Sequence, residues 1–221
     1  MIDLPKNTLF NKRIPKQKFY ENLDISLSLK RCFIDEIKTI YWRNKISEET
    51  VNIKAGKDVN EIQVFLVNLN QKSLNEKVLF QIDKEIPYYI LFILKFEDLY
   101  QAVIGYKEEA EAGRNAFKVA GFYYTDWMKE DDLPIILKGL DLDSVYENFL
   151  RNIAGERLKV NEEETIKKSV ERDKIIQDIQ SKIEKLKSKR RKTKQLNKQM
   201  KINDEIRDLK NKLNIIKQGE I

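Results

Sequence analysis

The sequence predicts an α+β protein, in which a mostly antiparallel sheet with covering helices is followed by a C-terminal helical coiled coil. Five short segments between residues 38 and 124 are rich in β-branched and aromatic residues, which is typical of strands. Residues 162–217, by contrast, contain neither glycine nor proline, and such a segment favours helix. We therefore divide the chain into a globular domain (1–155) and a basic helical coiled-coil appendage (156–221).

The N-terminal part of the globular domain predicts one helix and one strand after an irregular start. Pro5 and Pro15 interrupt residues 1–23 and leave room for about one helical turn. Residues 26–37 are expected to form a helix, because their apolar side chains recur at helical spacing. Alternation of apolar and polar residues over 38–46 predicts the first strand.

The sequence in the middle of the globular domain predicts a buried strand, a helix and a β-hairpin. Residues 61–69 are almost entirely apolar, so we expect a strand that is buried on both faces. A Ser-x-x-Glu pattern at Ser73 is typical of a capping box, and the helix it opens should end before Pro87. Strands follow at 88–96 and 99–107, and their two-residue connection predicts an antiparallel hairpin.

The end of the globular domain predicts one more strand and two helices. The strand spans 116–124, and the helices are expected near 133–138 and 143–153. We expect Gly155 to be the C-cap of the last of these helices and to mark the domain boundary. We expect the helices of this domain to cover the sheet mainly on one face.

The appendage contains two apolar series in different phases. Ile179, Ile183 and Leu186 keep a four–three spacing, and a second series with the same spacing begins at Ile202. The phase shift near 193–201 has two explanations: an antiparallel hairpin, or one long helix that pairs with another chain. We favour the hairpin, although the segment lacks a turn-forming glycine.

Positive charge is concentrated in the appendage. Residues 1–155 carry 22 bases and 24 acids, whereas 156–221 carry 20 bases and 12 acids, so the net charges are −2 and +8. Ten bases and a single acid lie within 182–201. Such clustering indicates a polyanionic partner, and its alternative interpretation is the solvated tip of a coiled coil.

The candidate nucleic-acid-binding residues come from the densest part of this cluster. On a helix they would lie within about 15 Å of one another and would contact phosphates without reading sequence. Arginines can hold a phosphate through two hydrogen bonds, and lysines act as point charges. The candidates are Lys185, Lys187, Lys189, Arg190, Arg191, Lys192 and Lys194.

The composition excludes several classes of site. With no histidine and a single cysteine, Cys32, the chain cannot hold an imidazole-dependent catalytic system, an internal disulfide or a cysteine-cluster metal site. No apolar segment approaches the roughly 20 residues of a membrane span, and the N-terminus lacks the apolar core of a signal peptide. We expect a cytoplasmic protein with no catalytic residues, no metal, no cofactor and no membrane partner.

A divergent metal-dependent nuclease is the alternative function, because it would need only carboxylates and a lysine from the sheet domain. The one Glu-x-Lys of the globular domain begins at Glu36, at a predicted helix-to-strand transition. Asp83 and Glu85 close a predicted helix and do not form the required strand pair. We interpret Glu36 and Asp83 as solvated acids at helix ends. A plain oligomerisation module is a third possibility.

Several motifs, taken in order, resemble the bacterial domain-of-unknown-function family 4391. They are IPKQKFY (14–20), IYWRNKISEETVNI (40–53), IDKEIP (82–87), GYK (105–107), YYTDW (123–127) and KQLNKQMKINDEIRDLKNKL (194–213). The chain departs from the family pattern at Glu108, where such families usually have a second base after Lys107.

The resemblance implies a context and no specific activity. Members of the family tend to occur near helicases and DNA methyltransferases in phage-defence or restriction-like loci. The expected function is therefore a non-enzymatic accessory subunit of such a system. It would use its basic C-terminal helices to bind a larger protein, such as a helicase or methyltransferase, or nucleic acid, with DNA favoured over RNA.

Overall fold

A six-stranded sheet organises the N-terminal part of the chain in the computed structural model. The model describes residues 4–22, 25–109, 117–158 and 164–218. Contacts within the chain divide it into two compact units, residues 1–155 and 156–221. Gly155 ends the last helix of the first unit with a φ of 54°, a conformation that glycine adopts without steric cost.

The strands of the sheet follow one another in chain order. They are β1 (Leu9–Ile14), β2 (Ile37–Ser47), β3 (Glu61–Leu69), β4 (Tyr89–Phe96), β5 (Leu99–Glu109) and β6 (Phe117–Tyr124). The β3–β4 pair is parallel, and the other four pairs are antiparallel. The prediction of a mostly antiparallel sheet is therefore confirmed. The last predicted strand begins at residue 116, which lies outside the described residues.

The described residues of the first unit form five α-helices, namely α1 (Gln17–Asn22), α2 (Leu27–Asp35), α3 (Glu48–Val51), α4 (Glu76–Glu85) and α5 (Leu142–Ala154). The cap of α4 is Asn75, whose side chain accepts a hydrogen bond from the Lys77 amide at 3.0 Å, and not Ser73 as predicted. The helix predicted over 133–138 is absent from this described segment. The segment is extended instead, with Leu133 and Ile135 buried in alternation.

The sequence does not predict strand β1, because this strand lies at the edge of the sheet and is exposed along most of its length. An edge strand with few buried side chains does not show the apolar alternation by which strands are recognised. Its Asn11 has a φ of 48°, and the β1–β2 register shifts between Leu9 and Lys12. This irregularity weakens the sequence signal further.

Helices cover both faces of the sheet. On one face, Phe92 of β4 belongs to an apolar cluster with Phe33 of α2 and Ile82 of α4. Side chains alternate along a strand, and Tyr89 of β4 meets Tyr146 of α5, with ring centroids 4.6 Å apart. The covering helices are thus confirmed: α1, α2 and α4 contribute to the cluster on one face, and α5 packs against the opposite face.

The second unit is a helical hairpin formed by α6 (Ile166–Lys192) and α7 (Leu196–Gln218). Its core contains five buried isoleucines, namely Ile179, Ile183, Ile202, Ile206 and Ile216. The phase shift in the sequence coincides with the three-residue connection between the helices, so the hairpin explanation is confirmed over a single long helix. Among the described residues, no helix is both long and apolar enough to cross a membrane.

Candidate nucleic-acid interface

The turn between α6 and α7 is made by side-chain hydrogen bonds and needs no glycine. Thr193 is the C-cap of α6 and has extended backbone angles, φ −87° and ψ 120°, which residues other than glycine adopt without strain. Its hydroxyl donates to the Lys189 carbonyl at 2.8 Å, and the Gln199 side-chain amide donates to the Thr193 carbonyl. These bonds satisfy backbone groups that the helix end leaves unpaired.

The seven candidate bases lie on the last turns of α6 and in this turn, and six of them are exposed. Lys187 is partly exposed and pairs with Glu184, with Nζ 2.6 Å from Oε1. Arg190 donates to the Asn203 side-chain oxygen at 2.8 Å and so links α6 to α7. Two of the seven candidates therefore have contacts within the hairpin itself.

Three of the remaining candidates share one face of α6. Lys185, Lys189 and Lys192 follow one another at intervals of four and three residues, which places them in a line along the helix. We call these three residues the lysine stripe. They line a shallow groove of about 620 Å³ together with Ser181, Glu184, Ser188 and Thr193.

The lysine stripe has no acidic partner among the residues that the structure describes. No described carboxylate lies within 4.0 Å of its ammonium groups or of Arg191 and Lys194. Glu184 is the one acid of the groove, and the hydrogen bond from Lys187, followed by attraction to Lys187 and Arg191, lowers its pKa. Glu184 therefore stays ionised, but the surrounding cations outnumber it.

The lysine stripe presents hydrogen-bond donors suited to phosphates. At 1.5 Å per residue, Lys185 and Lys192 lie about 10 Å apart along the helix. Ammonium groups donate in any direction and do not distinguish one base from another when they contact phosphates. The arrangement can therefore hold a polyanion along the helix without reading its sequence.

A second charged group, in the first unit, has the opposite environment. Asp83 of α4 and Lys107 of β5 form an ion pair whose side chains are 0% and 1% exposed, with Nζ 2.9 Å from Oδ1. The interpretation of Asp83 as a solvated helix-end acid is wrong. Helix α4 packs its final turn against β5, and this contact removes the carboxylate from water.

Lys107 also closes the C-terminal end of α4. Its ammonium donates to the carbonyl of Asp83 at 2.7 Å, to that of Ile86 at 3.2 Å and to that of Tyr88. The last carbonyls of a helix have no partner within the helix. A cation there satisfies them and interacts favourably with the helix dipole.

Burial dominates the ionisation of this pair. Loss of solvation raises the pKa of Asp83 to about 6, although attraction and hydrogen bonding to Lys107 oppose the shift. The same loss lowers the pKa of Lys107, against the attraction of Asp83. Nearby, the buried Tyr146 hydroxyl donates to the Gly105 carbonyl and accepts from the Lys107 amide at 3.3 Å.

The ion pair joins two of the motifs that carry the family resemblance. IDKEIP contributes Asp83 and GYK contributes Lys107. Gly105 is required between them, because a Cβ there would lie 2.4 Å from Asp83 Oδ2. The pattern of β5 contains one indication that Lys107 is buried. Val103, Gly105 and Lys107 alternate along the strand and so share one side of it, and Val103 is buried.

Glu36 and Asp83, the carboxylates considered for the nuclease alternative, lie at opposite ends of α4. Glu36 accepts a hydrogen bond from the Asn75 amide at 2.6 Å, at the beginning of α4. Asp83 lies eight residues further on, about 12 Å along the helix. Over the described ranges, no cluster of three or more aspartate, glutamate or cysteine side chains is arranged to hold a metal ion.

Comparison with protein-family models gives a match to a domain of unknown function (DUF4391) over residues 2–213, nearly the whole chain. No curated protein and no solved structure matches the chain. The lysine stripe and the hairpin as far as residue 213 lie inside the matched range.

Proposed function

The chain belongs to the DUF4391 family, and we propose that it is a non-enzymatic accessory subunit that binds nucleic acid through the lysine stripe, without reading sequence. The observation that carries the proposal is the line of three exposed lysines with no carboxylate within 4.0 Å among the described residues. Two further bases, Arg191 and Lys194, lie next to Lys192 in the sequence and add to the positive charge of this region.

Counterion release is the physical basis of this binding. Duplex DNA carries one phosphate per about 3.4 Å of each strand, so a stripe about 10 Å long faces several phosphates. Each lysine that neutralises a phosphate releases condensed cations into solution. The affinity should therefore be high at low salt and fall steeply as the salt concentration rises.

Duplex DNA fits this surface better than duplex RNA. A helix with its side chains is about 10–12 Å across, which matches the major groove of B-DNA, about 12 Å wide. The major groove of A-form RNA is too deep and narrow for side chains to enter. The proposal is therefore DNA, whose phosphates the lysine stripe contacts along one face of α6.

The wider context of the proposal comes from the family resemblance alone. It is a cytoplasmic role in a phage-defence or restriction-like system, beside a larger partner such as a helicase or methyltransferase. Deleting the gene in its host and counting phage plaques tests this role. Unchanged plaque numbers against a broad phage panel would contradict it, without bearing on DNA binding.

The nuclease alternative has less support from the geometry. Asp83 is buried against Lys107, and Glu36 is bound to the other end of α4. A nuclease also needs substrate phosphates next to its carboxylates, and a fully buried side chain does not offer this. Incubation of the full chain with DNA and Mg²⁺ or Mn²⁺ tests the alternative, and we expect intact DNA.

The direct test of DNA binding compares two variants with equal changes of charge. One replaces the lysine stripe (Lys185→Gln, Lys189→Gln, Lys192→Gln), and the other replaces Lys210, Lys212 and Lys217, which are exposed on α7. The control sites begin 14 residues beyond the start of α7 at Leu196, or about 21 Å from the turn.

Fluorescence anisotropy with a labelled duplex of about 30 base pairs then measures the affinity of the full chain. We expect the stripe variant to bind at least about tenfold more weakly than the unmodified protein and the control variant to change much less. Equal weakening by the two variants would show that only total charge matters, and it would overturn the role of the lysine stripe.

A further inference from the structure

A second cationic site lies in the first unit, far in sequence from the hairpin. A pocket of about 390 Å³ lies there. Its lining consists of Arg13, Ile14, Pro15, Lys16, Gln17, Lys38 and Thr39. We propose that this pocket binds a terminal phosphate group, a phosphate monoester, and that it does so independently of the lysine stripe. The site therefore goes beyond the DNA binding proposed above.

The register of the sheet brings the pocket together. Ile14 at the end of β1 is paired with Ile40 of β2; the Ile40 side chain is buried in the apolar core, and the partly buried Ile14 packs against that core. Because neighbouring residues on a strand point to opposite faces, Arg13 projects away from that core. The chain then turns through Pro15 into α1, which places Lys16 and Gln17 beside the start of β2.

Lys16 is the fixed element of the pocket. Its ammonium donates to the carbonyl of Ile34 at 2.9 Å and to that of Ile37 at 2.6 Å. Two of the three ammonium protons of a lysine are thus engaged by the backbone, one near the end of α2 and one at the start of β2. The third remains for a ligand, and the two anchored bonds hold the ammonium group in place.

The other groups of the pocket offer donors. Thr39 Oγ1 accepts a hydrogen bond from the Asn68 side-chain amide at 2.7 Å, so its own proton is free to donate into the pocket. Within the part of the chain that the structure describes, no carboxylate lies within 4.0 Å of Arg13 or Lys38. An arginine fork and a nearby ammonium are the usual ligands of a phosphate.

The surrounding acids leave the pocket positive. Asp35 attracts Lys16 electrostatically, and the carboxylate of Glu36 accepts from the Asn75 amide. Neither side chain lines the pocket, whose lining holds three bases and no acid. Three positive groups favour a terminal phosphate, which carries nearly two charges at neutral pH, over the single charge of an internal phosphodiester.

The pocket volume points to the size of the ligand. Pockets for small molecules range from about 300 to 1,000 Å³, and this one, at about 390 Å³, lies near the lower limit. It has room for a phosphate with an attached sugar-sized group. Such a group is presented by a nucleoside 5′-monophosphate and by the 5′-phosphorylated end of a nucleic acid, and the experiment separates the two sources.

The experiment uses the full chain and paired probes at constant ionic strength. Isothermal titration calorimetry compares adenosine 5′-monophosphate with adenosine, and a 5′-phosphorylated trinucleotide with its 5′-hydroxyl form. We expect each phosphorylated probe to bind at least about tenfold more tightly than its partner. Tighter binding of the trinucleotide than of the monophosphate would identify a nucleic-acid end as the source, and the reverse would identify a free nucleotide.

Variants locate the binding. Arg13→Gln and Lys38→Gln should each weaken phosphate binding about tenfold, and both residues are exposed, so the fold should persist. Lys12→Gln is the matched control, because Lys12 is adjacent on β1, equally charged and outside the pocket lining. The proposal is overturned if phosphorylated and unphosphorylated probes bind alike, or if Lys12→Gln weakens binding as much as the pocket variants. Binding of these probes by the lysine-stripe variant should be unchanged.

Discussion

Lysines in the two units of this chain have opposite environments, and the comparison separates structural from functional charge. Lys107 is 1% exposed, lies beside Asp83 and donates to three backbone carbonyls. Lys185, Lys189 and Lys192 are exposed and, among described residues, have no carboxylate within 4.0 Å. The ammonium group of Lys107 is therefore engaged by contacts within the protein, whereas those of the other three lysines remain available to a ligand.

The comparison also shows why a buried charge is kept. Removing both charges from water has a cost that the attraction between them need not exceed. Lys107 does more than pair with Asp83, because it satisfies the end of α4 and fixes that helix against β5. Its contribution is therefore to the position of α4, whereas the lysine stripe contributes nothing comparable to its own hairpin.

The largest effect should follow from removing the buried cation. Lys107→Met leaves the Asp83 carboxylate and the carbonyls at the end of α4 without their partner, and we expect a loss of about 3–5 kcal/mol in the free energy of unfolding. Urea denaturation measures it. Lys185→Met is the matched control and should leave the midpoint unchanged, because Lys185 is exposed. Equal effects of the two substitutions would abolish the distinction between these lysines.

The next effect is a dependence of stability on pH. The pKa of Asp83 is raised from 3.8 to about 6, so the folded state holds this proton more tightly than the unfolded state. The resulting stabilisation is complete below about pH 3.8 and is lost as the pH rises through about 6. Across this window the unmodified protein should lose roughly 3 kcal/mol relative to Asp83→Asn.

Urea denaturation of both proteins between about pH 3 and pH 7 measures this difference. Subtracting the curve of Asp83→Asn cancels the titration of the groups that the two proteins share. A difference that stays constant, or one in which the unmodified protein gains stability with rising pH, would contradict a pKa raised by burial.

A smaller effect should follow at the glycine beside the ion pair. In Gly105→Ala the new methyl group would lie 2.4 Å from Asp83 Oδ2 and 3.0 Å from the Phe122 ring, and such overpacking costs about 1–3 kcal/mol. Gly121→Ala, on the neighbouring strand, meets no atom within 4 Å and should be neutral. Thermal unfolding of both variants measures the difference, and a neutral Gly105→Ala would show that the carboxylate is not held in place.

The sequence predicts the structure correctly where local pattern decides it. Strand β3 has the predicted bounds of 61–69, because a continuous apolar segment of that length fits a buried strand. The shift between two apolar phases predicts the helical hairpin, and its turn falls at 193–195. In both cases the residues that determine the element lie within it.

The sequence does not predict the structure where residues distant in the chain decide it. Asp83 is followed by Lys84 and Glu85, so its surroundings in sequence are those of a solvated helix end. Its burial depends on Lys107, 24 residues away. The pocket at Arg13 was missed for the same reason, because β1 is recognised only by its pairing with β2.

The salt dependence of DNA binding tests the central claim most directly. The logarithm of the association constant should fall linearly with the logarithm of the salt concentration, with a slope of about −0.9 per neutralised phosphate. Replacing Lys185, Lys189 and Lys192 by glutamine should make this slope shallower by up to about 2.7 without moving the melting temperature. The variant at Lys210, Lys212 and Lys217 should keep the original slope. Identical slopes for the unmodified protein and the stripe variant would contradict the account.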